Sequence, residues 1–534
     1  MAAKFDLKDE EAVVIIGSGA GGGTLANELA QKGVDKIVLL EAGKDRTRNL
    51  FVNMPAGSFA MMSREPYDWS YRTEPDPTLD GREMAWSGGK MLGGSSSING
   101  QVYVRGNRQD YDRWMDAGAT GWGWDAMLPY FLKSECFTGP DSQWHGSHGP
   151  MKVGYANVRH PLAQPVIDAF ATCGIPHLPE YCAGDQFGTY DVYTTAAGGR
   201  RSSTATAYLE PAKKRPNLAI ITDAMADHIL IENGRATGVR AFVKGAMRDF
   251  AAREVIVSAG ALQSPGVLMR SGIGPSTHLQ GLGIDVLADL PVGQNLHDHN
   301  GVSTSRFVDV PTYNSPFGPI TIAKNLARWM LRKDGPMASA AVHVMAGLKS
   351  DPGLNEADIS VSMVPLAMDI SSGKPQMADR PGITIGGNNM RPHSRGEIRL
   401  RSRDARDKPV IDHRLLSDER DLKGMLFFVR FMERVWSTEP LAGHVTGRNF
   451  PATEPTSDDE WHDWLRQMIG IGYHPVGTCR MGGSDAVVDP QLRVRGIGGL
   501  RVCDASVMPL IVSGNTNAAT IALAERGAEI IAAT

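Results

Sequence analysis

Residues 472–482 read G-Y-H-P-V-G-T-C-R-M-G and set His474 between an aromatic ring and a proline, ahead of glycine-rich backbone. An imidazole fixed in such a setting can take a proton near neutral pH. Asn515 follows in S-G-N-T-N-A. The other end of the chain carries a different chemistry. Gly17, Gly19 and Gly22 of G-S-G-A-G-G follow the apolar run A-V-V-I-I, and Glu41 stands nineteen residues beyond Gly22. Glycines at that spacing let backbone approach a pyrophosphate at a helix N-terminus, and an acid at about 20 residues accepts from ribose hydroxyls. The motif alone leaves NAD and FAD open. A third segment, 88–100, reads G-G-K-M-L-G-G-S-S-S-I-N-G. Its small residues and terminal Asn can wrap an extended phosphate and a flat ring with backbone donors. A cofactor at one end and a base at the other point to a redox enzyme whose site is assembled from distant segments.

Other chemistry-bearing residues carry less. His297 and His299 share a strand face around Asp298, but no third ligand cluster accompanies them, so no metal site is expected. His145 and His148 fall in a polar loop and read as solvated. Arg200 and Arg201 precede S-S-T-A-T-A and read as a solvated turn or helix cap. Cys479 reads as a small buried filler.

These residues need elements to position them. The β-branched run 12–16, helical spacing from Thr24 and the apolar run 36–40 form a β-α-β unit. Residues 44–87, rich in Pro and aromatics, read as a covering loop. Residues 121–134 read as a turn and short helix, and 217–243 as strands around an Asn233-Gly234 hairpin. A buried strand is expected at 254–258, helical spacing around 420–436, and a final helix over 517–533. Residues 305–465 change character and read as most of a second domain.

The chain has 534 residues, too many for one compact core, with 42% hydrophobic and 21% charged residues as in ordinary globular proteins. Its 55 basic and 59 acidic residues leave a net charge of -4 and no basic block, which argues against a nucleic-acid partner. Five cysteines without a C-x-x-C pair fit reduced thiols in a cytoplasm better than a disulfide framework. No apolar stretch reaches the ~18 residues of a membrane span. Peripheral contact with the inner membrane stays open, as does the oligomeric state.

The sequence resembles the glucose-methanol-choline (GMC) oxidoreductases. Residues 88–100 look like that family's first signature and 260–274, G-A-L-Q-S-P-G-V-L-M-R-S-G-I-G, like its second. V-G-Q-N-L-H-D-H at 292–299, L-R-V-C-D-A-S-V-M-P at 500–509 and the opening segment match too, from about residue 11 to the C-terminus and most weakly over 303–465. The resemblance implies an α/β chain with a discontinuous Rossmann-like FAD-binding domain, 1–158, 203–302 and 466–534. A substrate-binding α+β domain with an antiparallel sheet would take 159–202 and 303–465. It implies FAD, with Gly17, Ser18, Gly19 and Gly22 on the pyrophosphate and Glu41 and Ala42 at the ribose. Gly89, Gly94, Asn99, Gly100 and Val102 would line the flavin side and Ala226 would meet the adenine. Gly260, Asp504, Ala505 and Thr516 would complete the cofactor site. Some members bind FAD covalently through a His before the signature's Asn. Ile98 stands there, so a noncovalent FAD is expected.

By the same resemblance His474 is the catalytic base and Asn515 its partner. The Asn amide can donate to a forming alkoxide and accept from a hydroxyl. The implied reaction oxidises a small-molecule alcohol to an aldehyde or ketone by hydride transfer to flavin N5. Electrons would then pass to a quinone or other carrier, toward which the lack of a secretion signal leans, or to oxygen. Trp69 and Tyr473 are expected in the substrate pocket. A lyase of the cyanohydrin-cleaving type on the same fold, with FAD idle, is the alternative from another class. A noncatalytic flavin scaffold and an NAD-dependent dehydrogenase fit less well.

Overall fold

The first two apolar runs become the parallel strands Val13–Ile16 and Ile37–Leu40, with Val13 opposite Ile37. Neither strand has a residue more than 4% exposed, as continuous β-branched and Leu runs require when both faces are covered. In the computed structural model, which describes residues 10–315, 318–369 and 376–533, they sit in a five-stranded sheet. Its order is Leu500–Val502, Glu254–Val257, Val13–Ile16, Ile37–Leu40, Leu218–Ile221, and every pairing is parallel. The central strand Val13–Ile16 has its two successors in the chain on one side and the later strands on the other. The crevice beyond its C-terminal end is therefore the switch point at which open α/β sheets bind ligands.

Two glycines make that crevice. Gly17 ends the strand at φ +95°, a left-handed conformation in which a Cβ would also lie 2.4 Å from the Ser258 carbonyl oxygen. Gly22 lies inside the helix Ala20–Gln31, and a Cβ there would come within 2.0 Å of the Gly17 carbonyl oxygen. The helix can therefore press against the strand end. Its other side packs on the C-terminal helix Thr516–Ala532.

The hairpin expected around Asn233-Gly234 is present between Ala224–Glu232 and Arg235–Val243, with both turn residues at positive φ. Lys244 and Gly245 repeat that turn and add a third strand, Ala246–Ala251. The final helix and the helix Glu419–Trp436 fall within a residue or two of their expected bounds.

A second, antiparallel sheet of six strands runs Val344–Leu348, Ile359–Val364, Gly382–Asn389, Asn300–Val308, Val445–Phe450, with Gly470–Ile471 also paired to Asn300–Val308. Ile359–Val364 alternates buried and half-buried residues, so one face is core. Met425, Phe428, Val429 and Met432 of Glu419–Trp436 join that face in one cluster. Gly387 gives room for it, since a Cβ there would lie 2.4 Å from the Phe428 ring. Two helices in this region were not expected from sequence. Asp458–Met468 begins at Ser457, whose side chain accepts from the Glu460 amide. Pro319–Arg332 buries only Trp329, so no core-facing stripe marks it.

Residues 44–87 do cover the crevice, but not as unstructured chain. They hold the short helices Leu50–Asn53 and Ser58–Met61 and a ribbon pairing Tyr71 with Trp86. Among the described residues no helix is long and apolar enough to cross a membrane.

Candidate active site

A cavity of about 490 Å³ opens at the switch point, within the roughly 300–1,000 Å³ typical of cofactor and ligand sites. Gly17, Ser18 and Gly19 form one wall at the N-terminus of Ala20–Gln31, where no side chain caps the helix. The free helix end favours an anion there. A Cβ on Gly19 would meet nothing within 4 Å, so its backbone faces open space. Gly22 does not line the cavity; its part is the helix packing described above, which corrects the expectation of a pyrophosphate contact.

Glu41 and Ala42 line the next stretch. The Glu41 carboxylate accepts from Ser18 Oγ at 2.5 Å, Ser18 N at 3.1 Å and Gly43 N at 2.7 Å. Burial pushes this carboxyl above its ordinary range, against the pull of those donors. Ser18 Oγ also accepts from Gly93 N at 3.1 Å, so the first glycine loop is tied to the Gly/Ser segment. The two loops touch backbone to backbone: a Cβ on Gly94 would lie 2.8 Å from Gly19 Cα.

Gly89, Gly94, Asn99, Gly100 and Val102 all line the cavity, as does Ile98. The segment is held from behind by Arg201. Its guanidinium donates to the Asn99 carbonyl at 2.8 Å and side-chain oxygen at 2.9 Å, to Ser58 Oγ at 2.6 Å and to the Val52 carbonyl at 3.0 Å. Arg201 is 3% exposed, and burial pushes its pKa down to about 9. The expectation of a solvated turn holds for exposed Arg200 and fails for Arg201. Spacing could not separate adjacent arginines that face opposite ways.

Ala226, Gly260, Asp504, Ala505 and Thr516 line the remaining walls. Asp504 accepts from Gly260 N at 2.8 Å and Ser264 Oγ at 2.5 Å through one oxygen and from Ser506 N at 2.8 Å through the other. These bonds join the turn after Glu254–Val257 to the turn after Leu500–Val502.

His474 and Asn515 meet in the same cavity, with Asn515 Nδ2 at 2.8 Å from His474 Nε2. Trp69 and Tyr473 also line it, with Met62 and Val342. Tyr473 holds φ +63°, a strained value for an aromatic residue. The strain is fixed by Asp298, whose two oxygens accept from the amides of Tyr473 at 2.9 Å and His474 at 2.7 Å.

A hydrogen-bond chain sets the state of His474. His299 Nε2 lies 3.1 Å from two carbonyl oxygens, Met390 and Val512. Carbonyls only accept, so this nitrogen carries the proton. His299 Nδ1 lies 3.0 Å from His474 Nδ1. With His299 neutral its Nδ1 is bare, and His474 Nδ1–H donates to it. His474 Nε2 is then the unprotonated nitrogen, accepting from the Asn515 amide in the cavity. Both rings are neutral by the same logic. Burial pushes His299 down to about 4, and burial reinforced by His299 holds His474 well below its ordinary value.

Sequence reasoning missed Asp298 and His299 as supports. The H-D-H run was visible, but its link to residue 474 is a tertiary antiparallel bridge between His297 and Val476. His297 itself bonds the Asn295 carbonyl at 2.7 Å and the Ile511 amide at 3.0 Å. His145 corrects another expectation. Far from solvated, its side chain is 3% exposed, stacked on Phe137 and bonded through both nitrogens to Glu135 and Glu180. The carboxylates raise its pKa despite burial. Ligand atoms of His145, Glu180 and Cys182 lie within 4.8 Å of one another, but both His145 nitrogens are already bonded to Glu135 and Glu180, and the adjoining Arg105–Glu135 pair supplies a cation. Exposed His148 and fully buried Cys479 lie where expected.

Comparison with known proteins gives a consistent set. Family models described as GMC oxidoreductase match residues 3–301 and 392–524. An oxygen-dependent choline dehydrogenase of Sinorhizobium medicae (strain WSM419) is 38% identical over 533 residues, covering 97% of this chain and 95% of that protein. One from Brucella anthropi is 37% identical over 527 residues, with the same coverage. Among solved structures, pyridoxine 4-oxidase from Mesorbium loti superposes with a TM-score of 0.88 at 30% identity, covering 97% of this chain and 98% of that one. A variant of Aspergillus oryzae RIB40 formate oxidase, solved for its effect on FAD modification, gives 0.92 at 26% identity over 98% and 99%.

Proposed function

The chain belongs to the GMC oxidoreductase family, and on that premise we propose that it oxidises an uncharged alcohol, with His474 as the base and Asn515 as the oxygen's second partner. Members of this family are FAD-binding oxidoreductases, and the residues present fit that cofactor. The uncapped helix end with open space before Gly19 suits a pyrophosphate. Buried Glu41 suits the ribose. The loop 89–100 braced by Arg201 suits the flavin ring, and Ile98 offers it no nucleophile, which supports noncovalent binding. We take the parallel sheet and its glycine turns as the cofactor-binding part and the antiparallel sheet as the substrate-binding part.

FAD, when bound, supplies the two-electron acceptor for the hydride leaving the alcohol carbon. The protein's own residues handle the oxygen and its proton. His474 Nε2, bare and neutral, takes the hydroxyl proton. Asn515 Nδ2, which donates to that nitrogen in the structure, turns to donate to the alcohol oxygen as negative charge grows on it. His299 keeps the His474 tautomer correct, and Asp298 keeps the backbone of 473–474 in place. The observation that carries this reading is the chain from His299 through His474 to Asn515 inside the cofactor cavity.

The curated relatives are named for choline, a quaternary ammonium alcohol, and the cavity argues for another class. Among the described residues only two carboxylates line it, Glu41 and Asp504, and both are tied into the glycine-rich turns. The ring of Trp69 already carries the Lys90 ammonium at 4.5 Å from its centroid, so a second cation there would be repelled. Met62, Val342 and Trp69 suit an uncharged, apolar alcohol instead. Re-oxidation by a carrier or by oxygen would complete the cycle. Anaerobic addition of such an alcohol to the yellow holoenzyme tests the reading. Bleaching of the flavin supports it, and a flavin that stays oxidised with every alcohol overturns it in favour of a non-redox use of the site.

A further inference from the structure

The helix Pro319–Arg332 is set apart from the rest of the chain by how little of it is buried. Trp329 is its only buried residue. It is anchored there, with Trp329 Nε1 donating to the Gly199 carbonyl at 2.7 Å and its ring packed with Met54 and Ala338. The outward face is ordered by the helical repeat. Ile320, Ala323, Ala327 and Leu331 recur at three- and four-residue steps and form one apolar stripe, with Ile320 85% and Leu331 84% exposed. Lys324, Arg328 and Arg332 recur every four residues and form a cationic stripe beside it. The helix holds no acidic residue, and the one acid just beyond it, Asp334, pairs with Arg328 Nε at 2.6 Å, so Lys324 and Arg332 carry most of the stripe's charge. Single exposed aliphatic side chains are ordinary, but an aligned apolar stripe of them marks an interaction surface.

We propose that this helix lies in the surface of an anionic lipid bilayer, with Ile320 and Leu331 entering the acyl boundary and the cationic stripe meeting headgroup phosphates. An apolar stripe flanked by Lys and Arg, with no acid, is the pattern of interfacial helices. The charge pattern disfavours a second copy as the occupant. An antiparallel two-fold contact would bring the two cationic stripes to the same side of the seam, where they repel. The neighbouring segment strengthens the assignment. Met54, which packs on Trp329, lies between Phe51 and Phe59, exposed by 45% and 57%. The same stretch of chain continues to Met62 and Trp69, which line the cavity. A docked protein therefore has a cavity wall contiguous with its lipid-facing segment, where apolar alcohols partition.

The test is flotation of the FAD-loaded enzyme with phosphatidylglycerol/phosphatidylcholine vesicles against phosphatidylcholine alone. Binding to the anionic vesicles, weakened by salt, is expected. Ile320→Glu with Leu331→Glu should lower that binding at least tenfold while leaving turnover of a water-soluble alcohol unchanged, which also shows that the variant folds. Lys324→Gln and Arg332→Gln should each lower it by about fivefold. Absence of binding to either vesicle, or binding that the double Glu variant leaves intact, overturns the proposal. A variant whose only change is a smaller species on size exclusion overturns it too, assigning the face to a second copy.

Discussion

His299 Nδ1 and His474 Nδ1 face each other at 3.0 Å, and two backbone carbonyls on the far side of His299 decide which ring donates. The proton order runs from His299 Nε2 outward and ends with a bare His474 Nε2 in the cavity. A buried histidine pair of this kind fixes a tautomer without a carboxylate and keeps both rings neutral.

Replacing His299 by Phe removes the acceptor for His474 Nδ1–H and frees the ring to adopt the other tautomer. We expect kcat to fall by roughly tenfold to a hundredfold with FAD content unchanged. His299→Gln, whose amide oxygen can still accept, should recover part of the loss. Steady-state kinetics beside flavin absorbance separate this positioning role from a folding defect, which would lower both together.

The histidine pair also fixes a pH dependence. The base must be neutral, and burial with His299 holds the His474 pKa below its ordinary value of about 6.5. kcat/KM governed by this group should stay flat from neutral pH down through 6.5 and fall only well below it. Stability follows the opposite side of the same shift. Below about 6.5 the unfolded histidines bind protons that the folded pair refuses, so folding stability is lost as pH drops. A pH–rate profile and thermal melts between pH 5 and 8 check the two halves. A limb centred at an unshifted histidine value would contradict the buried neutral pair.

Arg201 binds no substrate group, yet it should govern cofactor retention. Arg201→Met leaves the Val52 carbonyl without its donor, at about 1–3 kcal/mol for a buried group left unpaired, and strips one donor from Ser58 Oγ and one from the Asn99 carbonyl, which keeps its bond from Ser58 Oγ. The variant should purify with substoichiometric FAD, and Arg201→Lys should be intermediate because an ammonium cannot span the same acceptors. The flavin-to-protein absorbance ratio after desalting reads this directly.

Much of the fold was legible because its signals are local. Continuous β-branched runs at 13–16 and 37–40 and the two-residue turn at Asn233-Gly234 need no tertiary information. The cavity's glycine turns were legible for the same reason, since only glycine serves at positions such as Gly17. What stayed hidden depends on neighbours distant in sequence. Arg201 and Arg200 look alike until one is buried against Asn99. His299 has no visible role until a bridge between His297 and Val476 brings residue 474 beside it. Pro319–Arg332 escaped because its apolar residues face outward.

Substrate choice offers a comparison between near-isosteric alcohols. 3,3-Dimethyl-1-butanol and choline differ chiefly in the charge of the bulky end. With no free carboxylate among the described lining residues and Lys90 over Trp69, kcat/KM for the neutral alcohol should exceed that for choline by at least tenfold. Equal or reversed values would show that the cavity accommodates a cation after all.

The most direct test of the account is anaerobic single-turnover flavin reduction in His474→Ala, with the FAD-loaded variant and a saturating alcohol. The account predicts normal FAD content and a rate of flavin bleaching lowered by roughly a hundredfold or more. Bleaching at near-normal rate, with FAD fully bound, would contradict it and remove His474 as the base.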